Sequence, residues 1–357
     1  MNFRSDNEAP VAPAIFEAIA RANRGTAWSY GADPASAGLD GLFSDLFEAE
    51  VKVFAVATGT AANALSLAAL APPHGAILCH QGAHIQVDEC GAAEFYTAGA
   101  KLLPLVGDHG KITAPILAAA IAEFGALAGR LPPLAALSLT QATEAGTVYS
   151  GAEIKALADI AHDAGLGVHM DGARFANALV HLGCPPAEIT WRAGVDVLSF
   201  GATKNGAMAA EAVVAFRPDL AAALALKRKR AGHLLSKTRF AGAQFEAYLG
   251  GGLWLDLAAR ANRGATRLGD GLARIEGVTV IHPVEANEVF LSLPAAAIEA
   301  LVAGGVEFHR WPGPGAGNVI RLVVPWNVAD ADIASLLALV RAAPVSAVDH
   351  RLSVKKP

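Results

Sequence analysis

The sequence predicts an α/β fold in two parts: a large domain built on a mostly parallel β-sheet, and a smaller C-terminal α+β domain. Over residues 1–246, short apolar runs alternate with helix-like segments, which is typical of a parallel sheet wrapped by helices. The runs are apolar along their length, as expected for strands with both faces buried. Over residues 247–357 this alternation stops, and we place the smaller domain there.

Five apolar runs in the first part are predicted strands: AILCH (76–80), PLAALSLT (133–140), LGVHM (166–170), VDVLSF (195–200) and AVVAF (212–216). The clearest helix lies at 151–165. Ser150 and Glu153 there have the spacing of a capping box, and Gly165 marks the end. This helix lies between two strand candidates, as a parallel sheet requires.

The second part has four strand candidates: VTVIH (278–282), EVFLSL (288–293), VEFH (306–309) and NVIRLVV (318–324). Helix-like segments lie at 295–304 and 331–343, and a Gly/Pro-rich loop, WPGPGAG (311–317), precedes the last strand. Strands and helices of this length and order predict a compact α+β unit.

Composition narrows the class of protein. The 357 residues are 53% hydrophobic with a net charge of −5, which argues against a nucleic-acid partner. Three cysteines (Cys79, Cys90 and Cys184) lack a disulfide framework, the first residues lack a signal peptide's apolar core, and no apolar stretch is long enough to span a bilayer. We therefore expect a cytoplasmic protein with no membrane partner.

Polar residues follow three of the predicted strands. Glu144 comes shortly after the second run, Asp171 and Arg174 follow the third, and Thr203 and Lys204 follow the fourth. Ligands of open α/β sheets bind beyond the carboxyl ends of the strands, so these side chains are expected to converge. Taken singly, Asp171 could be a helix cap and Lys204 a surface lysine.

The segment TGTAANAL (58–65) predicts a phosphate site. Thr58, Gly59 and Thr60 precede a helix-like run, and the free N–H groups of a helix N-terminus accept phosphate. An ordinary threonine-capped helix is the alternative. Neither a dinucleotide fingerprint nor a P-loop is present, so nicotinamide and triphosphate cofactors are not indicated.

A lysine, an aspartate and a phosphate loop are what pyridoxal 5′-phosphate requires. A partly buried amine is a good nucleophile because burial disfavours its charged form, so Lys204 is suited to bind an aldehyde as an imine. Asp171 is suited to face the pyridinium nitrogen, and the loop to hold the phosphate. The chemistry of these three features predicts pyridoxal 5′-phosphate as the cofactor.

Six motifs in order resemble the low-specificity threonine aldolases, a family of fold-type I pyridoxal phosphate enzymes: RSDN (4–7), ATGTAAN (57–63), GAHIQVDECGA (82–92), HMDGARFANAL (169–179), SFGATKNG (199–206) and NVIRLVV (318–324). The details SLTQATEAG (138–146) and HMDGARFANALVHLGC (169–184) look closest to the phenylserine aldolases. The resemblance covers nearly the whole chain. It implies retro-aldol cleavage of L-β-hydroxy-α-amino acids such as phenylserine and threonine.

The resemblance implies a role for each matching residue. Lys204 binds the cofactor covalently, Asp171 faces the ring nitrogen and His84 stacks on the ring. Thr58, Gly59 and Thr60 hold the phosphate, and Arg239 contacts it from a neighbouring subunit. Thr203, next to Lys204, is a further cofactor-binding position. Ser5, Arg174 and Arg321 hold the substrate carboxylate, and Arg174 also approaches the cofactor. Apart from the resemblance, Tyr30 lies in a glycine-punctuated loop that can reach a neighbouring subunit's site, where it either lines the substrate pocket or braces the loop. The family further implies a homodimer or homotetramer with shared active sites.

One departure from the family leaves the general base open. Many threonine aldolases have a histidine where this chain has Glu144, so the β-hydroxyl proton passes either to Glu144 or to His84 through a water. The alternative for Glu144 is that it anchors a loop. A β-eliminating lyase or an aminotransferase remains an alternative within the cofactor class, and a non-catalytic protein on the same fold is another. A zinc hydrolase is a distant one, suggested by a run of metal-binding residue types: Cys79, His80, His84, Asp88, Glu89 and Cys90.

Overall fold

The structure is a computed structural model that describes residues 1–311 and 318–344. Residues 312–317 of the predicted Gly/Pro-rich loop lie outside the described residues. The described part contains one seven-stranded and one four-stranded sheet. The predicted α/β class, with a large mostly parallel sheet and a smaller α+β part, is confirmed.

The large sheet has the strand order β1-β7-β6-β5-β4-β2-β3. Its strands are β1 (Lys52–Val56), β2 (Ala76–His80), β3 (Lys101–Leu105), β4 (Leu134–Thr140), β5 (Gly167–Gly172), β6 (Val197–Gly201) and β7 (Glu211–Ala215). The five strands from β3 to β6 in this order pair in parallel, whereas β7 is antiparallel to both β1 and β6. All five predicted strands of this part form, while the edge strands β1 and β3 were not predicted.

Helices cover the sheet and connect its strands. The predicted helix at 151–165 forms as Gly151–Asp163, and both hydrogen bonds of its capping box are present. The helices are α1 (Pro13–Ala22), α2 (Pro34–Ala37), α3 (Leu39–Phe47), α4 (Gly59–Leu70), α5 (His84–Val87), α6 (Ala92–Tyr96), α7 (Ala114–Ala126), α8 (Gly151–Asp163), α9 (Phe175–Leu182), α10 (Ala221–Arg230), α11 (Arg239–Leu249), α12 (Leu253–Ala273), α13 (Ala295–Ala303) and α14 (Asp330–Ala342).

The smaller sheet is antiparallel, with the order β10-β11-β9-β8. Its strands are β8 (Thr279–Val280), β9 (Glu288–Ser292), β10 (His309–Arg310) and β11 (Val319–Val323). Phe3 is buried in the core of this part, and its backbone bonds Glu307 and Val323, so the N-terminal segment belongs to the smaller core. The domain boundary predicted at 246/247 falls inside α11 and stays a prediction.

Candidate active site

A cavity of about 250 Å³ opens at the carboxyl edge of the large sheet, where β4, β5 and β6 end. This is the position at which ligands of open α/β sheets bind. Its walls bring together most of the site residues predicted from the sequence: Thr58, Gly59, Thr60, His84, Glu144, Asp171, Arg174, Thr203 and Lys204.

Lys204 lies in a single 3₁₀ turn directly after β6. The next residue, Asn205, is buried and donates to Tyr248 Oη and to Trp254 O, both at 2.8 Å, which fixes the turn against the core. Lys204 itself has neither a hydrogen bond nor an ion pair with any described residue. The turn is thus rigid, while its ammonium group is left available to the cavity.

The N-terminus of α4 forms one end of the cavity. Thr58 caps this helix by accepting a hydrogen bond from Ala61 N, and the first bond within the helix runs from Ala62 N to Thr58 O at 3.2 Å. The N–H groups of Gly59 and Thr60 precede that bond, so the helix leaves them for a ligand. A helix N-terminus with hydroxyl groups beside it is well suited to a phosphate.

Asp171, at the end of β5, has both carboxylate oxygens bonded. One accepts from Asn63 Nδ2 at 2.7 Å and the other from the backbone N–H of Ala173 at 3.0 Å. The residue is 4% exposed. A carboxylate held from both sides in a buried position is suited to face a protonated ring nitrogen.

His84 begins α5 on the opposite wall and is fixed by a buried glutamate. Its Nδ1 lies 2.8 Å from Glu89 Oε1, and the same oxygen accepts from Asn63 Nδ2 at 2.8 Å. The hydrogen bond from Glu89 raises the pKa of His84, against the lowering effect of burial. A continuous network therefore joins His84 through Glu89 and Asn63 to Asp171.

Glu144 is held by one oxygen only. Its Oε1 accepts from the His84 N–H at 2.7 Å and from Thr140 Oγ1 at 2.9 Å, whereas its buried Oε2 has no hydrogen-bond partner among the described residues. Burial, with the negative charge of Asp171, raises the pKa of Glu144 to about 7. A carboxyl group of this pKa can exchange a proton near neutral pH.

The loop that presents Glu144 is anchored on both sides. Gln141 bonds the backbone of Tyr149 twice, through Nε2 at 2.8 Å and Oε1 at 2.9 Å. On the other side, Gly146 has a φ of +74° and packs so closely on Glu288 that a Cβ there would lie 3.0 Å from the Glu288 Cβ. The backbone on both sides of Glu144 is therefore fixed, in addition to the two hydrogen bonds that its Oε1 accepts.

The two arginines predicted for the substrate carboxylate already face carboxylates of the chain. Arg174 donates to both oxygens of Asp6, at 2.8 and 3.1 Å, and lies 3.3 Å from Glu288. Arg321 lies 3.6 Å from Glu288 and 4.9 Å from the centre of the Trp311 ring. Asp6 and Glu288 hold Arg174 so that its fork is oriented before any ligand arrives.

Four predicted residues do not line the cavity. Ser5 caps the first 3₁₀ turn, and Asn7 lines the cavity instead. Arg321 lies 3.6 Å from Glu288. Tyr30 is 60% exposed and its backbone N–H donates to Ser236 O, and Arg239 donates to Gly25 O at 3.2 Å. Their predicted roles stay predictions.

Sequence reasoning missed several buried polar residues of the site: Asp6, Asn63, Glu89, Glu211 and Glu288. Glu211 is the most direct omission, since it lines the cavity and accepts from the Thr203 N–H at 3.2 Å. Burial raises the pKa of Glu211 to about 7. A charged residue at the start of an otherwise apolar strand, EAVVA, was the available signal.

The cysteine- and histidine-containing segment does not form a metal site in the described part of the chain. No three histidine, cysteine, aspartate or glutamate side chains in residues 1–311 and 318–344 are arranged to hold a metal ion. His80 bonds Gly107 O at 2.9 Å and accepts from Gly82 N at 3.1 Å, so both ring nitrogens are engaged. The zinc-hydrolase alternative has no support in this geometry.

The residues of the cavity fit pyridoxal phosphate. An amine without a partner among the described residues, a fully bonded carboxylate and a helix N-terminus line one space, together with Glu144, whose buried Oε2 has no hydrogen-bond partner there. Lys204, Asp171 and the Thr58–Thr60 turn would hold the aldehyde, the ring nitrogen and the phosphate. Fold and site together define a pyridoxal phosphate-dependent enzyme of fold type I.

Comparison with known proteins identifies the family. Residues 2–296 match the family described as beta-eliminating lyase. The chain is 43% identical over 341 residues to the low specificity L-threonine aldolase of Pseudomonas aeruginosa, covering 95% of this chain and 96% of that protein. The enzyme of the same description from Pseudomonas sp. is 41% identical over 342 residues and 97% covered. The chain therefore belongs to the beta-eliminating lyase family, among its low-specificity threonine aldolases.

The solved structures agree with this assignment. Threonine aldolase from Leishmania major superposes with a TM-score of 0.87 at 26% identity, covering 95% of this chain and 98% of that one. The protein is thus a pyridoxal phosphate-dependent carbon–carbon lyase. No helix in residues 1–311 and 318–344 has the length and apolar character to cross a membrane.

Proposed function

We propose that the protein cleaves L-β-hydroxy-α-amino acids between Cα and Cβ to glycine and an aldehyde, and that it accepts phenylserine as well as threonine. Membership of the family supports the general reaction, cleavage of β-hydroxy amino acids. The single observation that supports this chemistry in the present chain is Glu144, whose buried Oε2 has no partner and whose pKa lies at about 7. A retro-aldol cleavage needs such a base to take the β-hydroxyl proton.

Between the two candidate bases, we assign the proton to Glu144. Its Oε1 is fixed by His84 N–H and Thr140, so the group keeps its position when Oε2 gains or loses a proton. The hydrogen bond with Glu89 raises the pKa of His84 and engages its Nδ1. His84 held in this way suits a positioning role on the ring face, whereas an ionised Glu144 carboxylate can accept the proton.

The remaining residues orient the substrate. When bound, pyridoxal phosphate supplies an electron sink for the electrons of the broken Cα–Cβ bond. Arg174, held by Asp6, binds the substrate carboxylate and sets the rotation about the Cα–N bond. Asp171, bonded at both carboxylate oxygens, would hold the ring nitrogen of the cofactor, and Lys204 would hold its aldehyde.

A direct assay tests the proposal. Purified protein is incubated with the threo and erythro diastereomers of phenylserine and threonine, and benzaldehyde, acetaldehyde and glycine are measured. Cleavage of phenylserine with glycine as the second product supports it. Pyruvate would instead indicate a β-eliminating lyase, and a keto acid an aminotransferase. Absence of any cleavage would overturn the assignment.

Attachment of the cofactor is tested separately. Borohydride reduction of the yellow holoprotein, followed by digestion and peptide sequencing, should place the fluorescent pyridoxyl label on Lys204. The turn around Asn205 leaves this amine without a competing partner, which is why we expect one label. A label on another lysine would contradict the site rather than the reaction.

We also propose a cytoplasmic homodimer or homotetramer with shared sites. Tyr30 and Arg239 lie on one surface with Trp28, which is 78% exposed, and none of the three lines the cavity of its own chain. A second copy would bring them to a site. Mixing inactive Lys204→Ala with Arg239→Ala protein tests this: subunit exchange should restore activity that neither parent has. If the mixed oligomers stay inactive, this contradicts active sites shared between subunits.

A further inference from the structure

Glu288 lies between the two arginines of the carboxylate site and is unusual in its bonding. It is 1% exposed on β9, with Oε2 at 3.3 Å from Arg174 Nη1 and Oε1 at 3.6 Å from Arg321 Nη1. Neither oxygen has a hydrogen bond in the described part of the chain. Buried carboxylates normally bond several donors, so this one is held mainly by charge.

Arg321 has spare capacity on the same side. Its Nε is buried without a hydrogen-bond partner among the described residues, while the guanidinium stacks on Trp311. A planar guanidinium binds a carboxylate best with two N–H groups, and here Nε is free to contribute one of them. Both members of the Glu288–Arg321 pair are therefore incompletely bonded. A carboxylate ligand can accept from the free N–H of Arg321, whereas Glu288 can bond such a ligand only as a donor, with a proton of its own.

The charges around Glu288 are balanced before a substrate binds. The groups that face it are Asp6 from the N-terminal segment, Arg174 at the start of α9, Arg321 on β11 and Lys204 after β6. Two guanidinium groups oppose two carboxylates, and Lys204 is consumed by the cofactor. An arriving carboxylate adds a third negative charge to a buried cluster, which costs energy unless one charge is neutralised.

We propose that Glu288 takes up one proton when the substrate carboxylate binds between Arg174 and Arg321, so that carboxylate binding is proton-linked. The inference rests on the proposed function, because it takes these arginines as the carboxylate site. Protonation removes one of the three negative charges and releases the arginines from Glu288. The proton comes from solvent, and no covalent bond changes.

Burial is consistent with this role, since it raises the pKa of Glu288 against the opposing charges of Arg174 and Arg321. The consequence is a substrate affinity that depends on pH through a residue that does not touch the reacting atoms. Glu288 is a positioning residue: ionised, it competes with the substrate for the guanidinium groups, and neutral, it leaves them to the substrate. Glycine release is promoted by the reverse step.

The test compares glycine with methylamine, which has the same amine and no carboxylate. Dissociation constants of both for the holoenzyme are measured from the cofactor's absorbance between pH 6 and 9, and corrected for ionisation of each free amine. The ratio of the glycine to the methylamine constant should rise with pH, approaching about tenfold per unit once Glu288 is ionised. A ratio that does not change with pH overturns the proposal.

The variant Glu288→Gln sharpens the test. It should make the ratio independent of pH and tighten glycine binding at pH 9, with little effect on methylamine. The matched control is Glu307→Gln, which removes a carboxylate from the same part of the chain, paired with Arg4 at 3.5 Å. A variant that still shows the wild-type slope refutes the assignment to Glu288.

These outcomes are separable from failure of the proposed function. Glycine and methylamine bind the cofactor whether or not any β-hydroxy amino acid is cleaved, so the linkage is measured without turnover. If Glu288→Gln does not fold, calorimetry of glycine binding in two buffers of different ionisation enthalpy counts the proton directly, and the same count in Glu144→Gln and Glu211→Gln shows whether either of these cavity carboxyls takes it up instead. Equal proton counts for glycine and methylamine would again overturn it.

Discussion

The two ends of the cavity differ in how completely the chain satisfies its own polar groups. At the ring-nitrogen end, Asp171 has a partner for each oxygen, and Asn63 bridges it to Glu89. At the end proposed for the substrate, Glu144 Oε2 is buried without a hydrogen bond among the described residues, and so is Nε of Arg321, which does not itself line the cavity. The polar groups of the ring-nitrogen end are hydrogen-bonded before a ligand arrives, and those of the substrate end are not. We call them the complete end and the incomplete end.

This difference follows from what each end must bind. A resident cofactor needs a charge that does not change during turnover, and a carboxylate fixed from both sides provides it. A substrate that enters with a carboxylate and loses a proton needs donors and acceptors with capacity to spare. In the free protein, the buried groups of the substrate end that lack hydrogen bonds therefore cost free energy. Substrate binding removes this cost by bonding them.

The largest effect should come from changing the complete end. In Asp171→Asn the side chain keeps its size but cannot carry the charge opposite the ring nitrogen, so kcat should fall about 10³-fold with the fold intact. Steady-state kinetics and circular dichroism measure both. The control is Asp163→Asn at the exposed end of α8. Full activity of Asp171→Asn would contradict an electronic role.

Changing the incomplete end should have a smaller effect with a characteristic pH dependence. If Glu144 acts as the base, as proposed, kcat/KM should rise as pH passes through about 7, the value to which burial raises the pKa of its carboxyl group. Glu144→Gln should lower kcat/KM about 10²-fold and abolish this limb. If the limb persists in the variant, the base is another group, with His84 the first to examine.

Ionisation of Glu144, which should raise activity, should lower the folding stability. A carboxyl whose pKa is raised from 4.5 to about 7 holds its proton more tightly in the folded state, so folding stability falls as pH rises from 4.5 through 7. Because an amide does not ionise, Glu144→Gln should avoid between about 1 and 3 kcal/mol of this loss of folding stability at pH 8. At pH 4 the pH-dependent difference should vanish.

Urea unfolding of wild type and variant at both pH values, at fixed protein and cofactor concentration, measures this difference. Glu211 contributes in the same direction in both proteins and cancels in the comparison. A constant offset between the two proteins at every pH would reflect packing of the amide alone. Only a difference that grows between pH 4.5 and 7 supports the assigned ionisation.

Much of the complete end could be predicted from sequence, because its residues follow strands. Asp171 and Lys204 come directly after continuous apolar runs, and parallel strands bring their carboxyl ends to one edge. Thr58 is recognisable as a helix cap in the same way. Local pattern and sheet geometry together were sufficient for these positions.

The second layer around them could not be predicted, because it depends on contacts between distant parts of the chain. Asn63 lies inside a helix whose residues are buried almost throughout, and its contacts with Asp171 are 108 residues away. Glu288 reads as a polar start of a strand. Likewise, β1 and β3 are edge strands in which charged or proline residues weaken the apolar pattern.

The smallest effect should come from changing Glu89, which links His84 to Asp171 through Asn63. Glu89 is 5% exposed, and its Oε1 accepts from both Asn63 and His84. Glu89→Gln retains an oxygen for Asn63 but loses the charge that raises the pKa of His84. We expect kcat to fall roughly tenfold, the equivalent of one charge-assisted hydrogen bond.

The readout that separates this effect from a packing defect is the ionisation of His84. In Glu89→Gln its pKa should fall, because burial then acts without the opposing carboxylate, and NMR titration of the imidazole measures the change. Glu123→Gln, on the exposed face of α7, is the control. An unchanged His84 titration would mean that Asp171, rather than Glu89, sets its charge, and the two ends would then be coupled through space instead of through Asn63.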